Sequence, residues 1–316
     1  MQSMNGRIQV WDRVQRILSI AMLALWIVFA IIFASFVSRF VHCPLDKRIR
    51  LIVRGDDMGF CHAANVGCIE AYQNGILTCV EVMPPCAHFD EAVEMCLANP
   101  GLDVGVHLTL TSEWDQIKWG PLTDAPSLTD SNGFFFPATL AMDDIDPAVT
   151  LAGKSPQISE IEQELRAQFK LANESIPHLT HFSVHMGFHF ISPAVQSVVS
   201  DLAEEYDLDL YPLDCGARQT WLFEPSDPFD EALQQAIDAL ENLKPGTWIT
   251  YDHPGRLGLD LDGVTEFGHG GVAEARDTST RVLSHPAVME VIQRRGIELI
   301  NYRDLKKPVW QRLFKL

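Results

Sequence analysis

The chain has 316 residues, 47% hydrophobic and 21% charged, an ordinary globular composition that excludes a disordered, collagen-like or coiled-coil protein. Its 24 Lys and Arg face 42 Asp and Glu, for a formal net charge of −18. Residues 1–50 hold seven of the basic and two of the acidic residues, so residues 51–316 hold 17 basic and 40 acidic ones, a net −23. A domain this acidic repels a phosphate backbone, and we expect no nucleic-acid partner.

The first predicted element is a membrane-spanning helix over residues 17–37. These 21 residues carry no charge, and a helix of that length spans about 30 Å, the thickness of a bilayer's hydrocarbon core. A cleaved signal peptide would have a shorter apolar stretch of about 7–15 residues and a small-x-small cleavage site. We therefore predict a tail at 1–16, a single-pass transmembrane anchor at 17–37 and a linker at 38–49. A buried core helix stays open as an alternative.

The location of the acidic domain is less constrained. Basic residues flank both ends of the apolar segment in nearly equal number, so the positive-inside rule leaves the side of the membrane unresolved. The seven cysteines include no C-x-x-C pair and no cluster at structural-zinc spacing. An odd number of cysteines spread through a large domain is typical of reduced thiols, which favours a cytoplasmic face.

Residues 50–316 alternate short apolar strands with amphipathic helices. The predicted strands cover residues 50–54, 77–83, 103–110, 180–184, 208–211, 247–251 and 297–300. The predicted helices cover residues 63–73, 88–97, 158–172, 193–206, 229–243 and 286–295. The alternation predicts a parallel α/β fold. Because no nucleotide-binding glycine motif follows the first strand, we expect a closed or nearly closed barrel rather than a dinucleotide-binding sheet.

One long segment, residues 111–156, has little periodicity and is rich in Trp, Pro, Asp and Gly. A loop of that length is usually functional or disordered. The aromatic residues Trp114 and Trp119 and the run at 134–136 favour a flap that contributes to binding.

Polar residues gather where the predicted strands end. Asp56 and Asp57 follow the first strand, His107 lies in or at the end of the third, and His185 and His253 each follow a later strand. The carboxyl ends of parallel barrel strands share one face, where reaction sites are built. These five residues are therefore predicted to converge.

The paired acids and the histidines each have a structural alternative. Two adjacent carboxylates cannot point the same way from an extended strand, but a bend lets Asp56 and Asp57 flank one site, one on a metal and the other accepting a proton. A helix N-cap or Asx-turn is the alternative for this pair, and a hydrogen-bonded core residue is the alternative for His107.

Three histidines at four-residue spacing, His181, His185 and His189, would share one face of a helix. The β-branched and aromatic residues around them favour instead a strand that ends near His185. In that interpretation His185 points inward, His181 is structural or supports the site, and His189 faces the substrate. A surface position for all three stays open.

One Asp and two His form a mixed oxygen and nitrogen set that leaves metal positions open for water and substrate. Such a metal polarises a carbonyl and lowers the pKa of bound water, as hydrolysis of a neutral amide or ester requires. Asp56 is placed to take the proton from the water, and His253 to protonate the leaving amine. The absence of G-x-S-x-G from the sequence argues against a covalent serine route.

At these residues the sequence resembles the YdjC/ChbG-like carbohydrate deacetylases, relatives of the polysaccharide deacetylases. The resemblance spans about residues 50 to 306. The matching blocks are residues 54–59 (RGDDMG), Asn65, Asn74-Gly75, 103–110 (DVGVHLTL), 180–187 (THFSVHMG), 253–255 (HPG), 296–299 and 302–304.

The resemblance implies a deformed, TIM-like (β/α) barrel of about seven strands over residues 50–316. It also implies a divalent metal, Mg²⁺ by the family and Zn²⁺ as an alternative, that assists removal of N-acetyl groups from amino sugars or oligosaccharides. The family's metal ligands correspond to Asp57, His107 and His185, its general base to Asp56, and its acid to His253. An N-acetylated saccharide is thus the expected partner, and a homo-oligomer is left open.

The sequence also departs from the family pattern. Many members carry a second histidine where this chain has Gly187, and an Asp where it has Ser183. An Arg-x-x-Glu-Leu pattern is replaced by residues 276–280 (RDTST), and a membrane anchor is not a typical family feature.

Two other functions stay open. A phosphoesterase or cyclic amidase on the same barrel would need a basic clamp, for which Arg54, Arg218 and Arg256 are candidates. A non-catalytic saccharide-binding protein would be expected to lack a ligand or the base, and this chain has all four residues. Trp114 and Trp119 suit either stacking on sugar rings or packing within the flap.

Overall fold

A parallel sheet of seven described strands organises residues 48–306, one of two units into which the chain divides; residues 1–47 with 307–316 form the other. The computed structural model describes residues 22, 26–28, 31, 47–141, 145–208 and 216–305. The strands are β1 (Ile49–Met58), β2 (Cys79–Val82), β3 (Asp103–Leu108), β4 (Leu179–Val184), β5 (Arg218–Gln219), β6 (Gly246–Asp252) and β7 (Ile297–Leu299). The α-helices of the unit formed by residues 48–306 are α1 (His62–Gln73), α2 (Phe89–Ala98), α3 (Ile158–Ser175), α4 (Pro193–Glu205), α5 (Phe229–Asn242), α6 (Val272–Leu283) and α7 (Pro286–Arg295).

The strand order within the described residues is β4-β3-β2-β1-β6-β5, and β7 pairs with the first part of β1. Every pairing is parallel, so the carboxyl ends of the strands share one edge. The predicted parallel α/β fold is confirmed as a half-barrel that, in the described residues, is open between β4 and β5 rather than closed. The predicted strand at 208–211 lies almost wholly in residues 209–215, outside the described part.

Strand β1 lies in the middle of this sheet because its composition allows burial on both faces. Leu51, Ile52 and Val53 are fully buried, as is usual for a central strand of a parallel sheet. The strand pairs with β6 from Ile49 to Gly55 and with β2 over its last residues. The end of β1 therefore emerges at the centre of the edge where the functional residues are expected.

Most predicted elements lie within a few residues of the observed ones, with three differences. Strand β1 continues to Met58, so Asp56 and Asp57 belong to the strand instead of following it. Helix α6 is absent from the sequence prediction because its buried side includes polar residues, among them 276–280, and shows little apolar periodicity. Strand β5 has two residues, too few for a pattern.

The predicted membrane anchor over residues 17–37 is wrong for the described chain. No helix among the described residues is both long enough and apolar enough to span a bilayer. Of the predicted segment the structure describes only Met22, residues 26–28 and Ile31, and the other positions lie outside the described residues. A spanning helix needs about 20 consecutive apolar residues, which these positions do not supply. The assignment as a single-pass membrane protein is therefore withdrawn.

The segment at 111–156 packs onto the half-barrel through its aromatic residues. Trp114 and Trp119 are only 7% and 4% exposed, and their rings lie 6.0 and 6.1 Å from that of Phe60. Trp119 Nε1 donates a hydrogen bond to the carbonyl of Thr111 at 2.7 Å. The burial of both rings agrees with the predicted packing role, while Trp114 also lines the cavity described below, so a contact of this residue with a ligand stays a prediction.

Helix α1 approaches the turn after β6 closely through two glycines. A Cβ on Gly67 would lie 2.4 Å from the backbone nitrogen of Gly255 and 2.5 Å from its Cα. Backbone atoms cannot move aside as a flexible side chain can. The absence of a side chain at Gly67 therefore sets the position of the turn that carries His253.

We expect Gly67→Ala to destabilise the protein by about 2 kcal/mol, because the added methyl group overlaps backbone atoms. A decrease in stability would support the packing argument, since Gly→Ala inside a helix normally stabilises a protein by about 0.5–1 kcal/mol. The free energy of unfolding in urea measures the effect. Gly270→Ala, where an added Cβ meets no atom within 4 Å, is the control and should change stability by less than about 0.5 kcal/mol. Equal effects at the two positions would contradict the packing argument.

Candidate metal and active site

A bend at the end of β1 turns two adjacent carboxylates toward one cavity. Asp57 has a left-handed backbone conformation, with φ of 64°, and the pairing of β1 with β2 slips between Gly55 and Met58. A regular strand would send neighbouring side chains to opposite faces, but Asp56 and Asp57 both line a cavity of about 770 Å³. The predicted bend is present, and it lies within the strand.

The three predicted metal ligands lie next to one another. Asp57 Oδ1 is 3.3 Å from His107 Nε2 and 3.2 Å from His185 Nδ1, and the two nitrogens are 3.2 Å apart. All three side chains are buried, and their donor atoms lie within 4.8 Å of one another. Two ligands about 2.1 Å from one ion and at right angles would be about 3 Å apart, so this spacing fits a small divalent cation.

The electrostatics of this cluster also suit a cation. Asp57 Oδ1 is buried and, despite the nearby imidazoles, makes no hydrogen bond of good geometry within the described residues, an arrangement that is costly without a partner. Burial opposes ionisation of this carboxyl, yet the charges of Arg276, His185 and His253 hold its pKa well below the usual value. Burial lowers the pKa of His185, but the charges of Glu113 and Asp57 outweigh burial and raise it to about 10. A cation bound at His185 Nδ1 would replace that proton.

Each ligand histidine has its other ring nitrogen next to a polar side chain. His107 Nδ1 lies 2.5 Å from Ser183 Oγ, and His185 Nε2 lies 2.9 Å from Glu113 Oε2. Contacts of this kind fix the orientation of the ring and tune its basicity. Ser183 thus contacts His107 without bringing a charge. Glu113 was not predicted, because the flap that carries it shows no periodic pattern.

Arg276 on α6 is the second site residue that the sequence analysis did not identify. Its Nη2 donates to Asp57 Oδ2 at 2.6 Å, and its guanidinium carbon lies 4.7 Å from the Phe60 ring centroid and 5.1 Å from that of Trp114. Arg276 therefore holds one oxygen of Asp57 and leaves Oδ1 directed at the histidines. The sequence did contain one indication of this residue, because Arg276 occupies the first position of the Arg-x-x-Glu-Leu pattern.

Asp56 is held by the arginine two positions before it. Arg54 Nε donates to Oδ1 at 2.6 Å and Nη2 donates to Oδ2 at 2.8 Å, a bidentate pair. Arg54 Nη1 also lies within hydrogen-bond distance of the Tyr302 hydroxyl, at 3.2 Å. Burial alone would raise the pKa of Asp56, but the charges of Arg54 and His107 outweigh burial and keep it below the usual value. Asp56 is therefore ionised at neutral pH.

His253 borders the same cavity from the end of β6. Its Nε2 lies 3.9 Å from Asp57 Oδ2. The neighbouring Asp252 accepts hydrogen bonds from the backbone N–H of His253 at 2.7 Å and from Ser279 Oγ at 2.6 Å, which fixes the strand end. All five residues expected at the site thus line one cavity.

The remaining histidines of the predicted trio are not in the ligand set. His181 is fully buried, with Nε2 2.9 Å from Glu81 Oε1, and its ring stacks on that of Tyr302 at 3.5 Å between centroids. Gly105 makes room for this pair, since a Cβ there would lie 2.6 Å from Glu81 Oε2. His181 therefore lies in the core behind the site, a position that agrees with both roles predicted for it, structural or supporting the site. His189 is buried and borders the cavity.

The cavity is acidic, and its arginines are already paired. Its carboxylates are Asp56, Asp57, Glu113, Asp252 and Glu266. The two arginines among its described lining residues, Arg54 and Arg276, bind Asp56 and Asp57 respectively. These pairs leave no unpaired guanidinium among the described lining residues for an anionic ligand.

The other arginines considered as a phosphate clamp are also engaged elsewhere. Arg256 binds Asp277 at 2.7 Å and lies 3.3 Å from Glu70. Arg218 donates to the carbonyl of Pro245 at 2.8 Å. Neither lines the cavity.

Known proteins resemble this chain over most of its length. The carbohydrate deacetylase of Brevibacillus brevis is 28% identical over 273 residues, covering 81% of this chain and 100% of its own length. Carbohydrate deacetylase 1 of Listeria innocua is 28% identical over 265 residues, with the same coverage. A solved structure from Enterococcus faecalis V583, named as a cellobiose-phosphate cleavage protein, is 25% identical with a TM-score of 0.62, covering 82% of this chain and 100% of its own.

The family described as YdjC-like protein matches residues 50–294. This range runs from β1 into the last turn of α7 and includes Asp56, Asp57, His107, His185 and His253. The resemblance inferred from the sequence blocks is therefore confirmed, and the chain belongs to the YdjC-like protein family.

Proposed function

We propose that this protein is a metal-dependent carbohydrate deacetylase, which hydrolyses the N-acetyl group of an amino sugar or of its oligosaccharides. The observation that carries the proposal is the convergence of Asp57, His107 and His185 beside Asp56 and His253 in one cavity. The carbohydrate deacetylase names of relatives that align along their full length support the same activity.

The proposed cation site consists of Asp57 Oδ1, His107 Nε2 and His185 Nδ1. A divalent cation there supplies Lewis acidity for the acetyl carbonyl and lowers the pKa of water. Two imidazoles and one carboxylate suit Zn²⁺ and similar transition metals, whereas Mg²⁺, the family's expected metal, prefers oxygen ligands. Reconstitution with each ion separately would distinguish them.

Asp56 is the proposed base. Its carboxylate is ionised and fixed on both oxygens by Arg54, so it can accept a proton from water without first changing conformation. The same arginine lowers the pKa of Asp56 and thereby weakens it as a base. A weaker base is sufficient if the bound cation lowers the pKa of the attacking water.

His253 is the proposed acid for the leaving amine. The imidazole lies at the rim of the cavity, 3.9 Å from Asp57 Oδ2, and the turn that carries it packs on Gly67. Amide hydrolysis needs a proton on nitrogen, because an amide anion is a very poor leaving group.

The charge distribution favours an amide over a phosphate ester. Five carboxylates line the cavity, while Arg54 and Arg276 are occupied by Asp56 and Asp57. Apart from the proposed cation, a phosphate would therefore find no unpaired guanidinium among the described lining residues to bind it. A neutral acetamide does not need one.

We expect Asp57→Ala to abolish both metal binding and activity, and Asp56→Asn to keep the metal but lower activity by about 100-fold or more. Metal content and acetate release from N-acetylglucosamine oligomers, with and without chelator, measure the two effects. Asp201→Asn, an exposed carboxylate on α4, is the matched control and should retain both. Full activity in Asp56→Asn would eliminate this residue as the base, and activity that resists chelation and survives Asp57→Ala would refute metal dependence.

Glu113→Gln is expected to weaken metal binding by about 10–100-fold, because the charged partner of His185 Nε2 is lost while the shape is kept. Titration of the metal-free protein with Zn²⁺ measures the affinity. Glu266→Gln is the control, because it replaces another carboxyl group of the same cavity that is not the partner of His185 Nε2. Comparing the two variants distinguishes the loss of the His185 contact from a general loss of negative charge in the cavity. If both variants weaken binding equally, the specific role of Glu113 is wrong.

A further inference from the structure

An exposed tryptophan lies beside the candidate active site. Trp221, in the loop between β5 and α5, is 59% exposed, in contrast to the buried tryptophans of the flap. Its ring packs edge-on against Tyr251, with 4.8 Å between centroids and 68° between planes. A large aromatic side chain held in one orientation but left open to solvent is typical of a binding surface.

This tryptophan borders a second cavity of about 590 Å³, within the usual size range of small-molecule sites. Its walls are apolar and aromatic residues together with a few polar groups. They include Trp221, Pro225, Tyr251, Asp252 and His253. Apolar walls with few polar groups suit a ligand that has both a hydrocarbon face and hydroxyl groups, as a pyranose ring has.

The second cavity adjoins the metal cavity along the end of β6. Both are lined by Pro225, Tyr251, Asp252 and His253. Tyr251 links the two sides, since its ring lies 4.8 Å from the guanidinium carbon of Arg54, which holds Asp56, and contacts Trp221 on the other side. A ligand that extends past His253 would therefore enter the second cavity.

The chemistry of the reaction indicates which end of the ligand lies in which cavity. In a deacetylation the acetyl carbonyl faces the cation ligands, while the nitrogen and the sugar lie on the side of the acid that protonates the nitrogen. That acid is the proposed His253, which lines both cavities. A sugar linked to the reacting one would thus lie beyond His253, toward Trp221.

We propose that the cavity beside Trp221 is a second sugar-binding site, in which the indole stacks on the pyranose ring next to the ring being deacetylated. This inference rests on the proposed deacetylase function and deepens it. Trp221 then determines specificity, because it contacts oligosaccharides but offers nothing to the acetyl group of a single sugar. The site favours a substrate of at least two linked rings.

The test compares N-acetylglucosamine with its β-1,4-linked disaccharide on the full-length chain. In Trp221→Ala the ratio of kcat/KM for disaccharide over monosaccharide should fall by about tenfold, as expected for losing one aromatic contact. Trp221→Phe keeps an aromatic face and should restore part of the ratio. Phe134→Ala removes an exposed aromatic that borders neither cavity, and it should leave the ratio unchanged.

An unchanged ratio in Trp221→Ala would overturn the proposal. The ratio would also stay unchanged if the substitution disturbed Tyr251 and His253 and thereby lowered the activity on both substrates equally, and that result too would count against the proposal. Calorimetric titration with the same two sugars separates this failure from failure of the deacetylase function. If the wild-type chain releases no acetate from either sugar, the proposed function fails. Tighter disaccharide binding that is lost in Trp221→Ala would still support the second site, and equal binding of the two sugars would reject it.

Discussion

The left-handed conformation of Asp57 is the constraint on which the rest of the site depends. A non-glycine residue with φ of 64° costs about 1 kcal/mol, and it breaks the alternation that would place Asp56 and Asp57 on opposite faces of β1. With the bend, one strand supplies both a proposed cation ligand and a proposed base. The contacts of Arg54 and Arg276 to these two acids fix the bent backbone in place.

Those two arginines also explain how so many acids can be buried together. Asp56 and Asp57 each have a guanidinium partner, which offsets much of the penalty of removing a carboxylate from water. Arg276 binds only one oxygen of Asp57, so the other stays directed at His107 and His185. The result, among the described lining residues, is a site whose carboxylates suit a cation and whose two arginines are both paired with acids.

Strand patterns and local motifs in the sequence predicted the strands and the polar residues at their ends. Residues that only long-range contacts bring to the site were not predicted. The ligand set could be located because Asp57, His107 and His185 lie at the ends of recognisable apolar strands. Glu113 and Arg276 could not, since one is in an aperiodic flap and the other on a helix with a partly polar buried side. The predicted anchor at 17–37 rested on the length of an apolar segment without charges, whereas no helix among the described residues is long and apolar enough to span a bilayer.

The sheet order places the proposed cation ligands and the proposed sugar contacts on different strands. The proposed cation ligands come from β1, β3 and the end of β4, whereas His253, Tyr251 and Trp221 belong to β6 and the loop after β5, on the other side of β1. Changes in the loop that carries Trp221 would therefore alter the fit of a neighbouring sugar without moving a cation ligand. His253, the proposed acid, lies where the two proposed sites meet, because it borders both cavities. In the proposed function, a change in the loop that carries Trp221 would thus alter saccharide selection while the proposed hydrolytic residues stay in place.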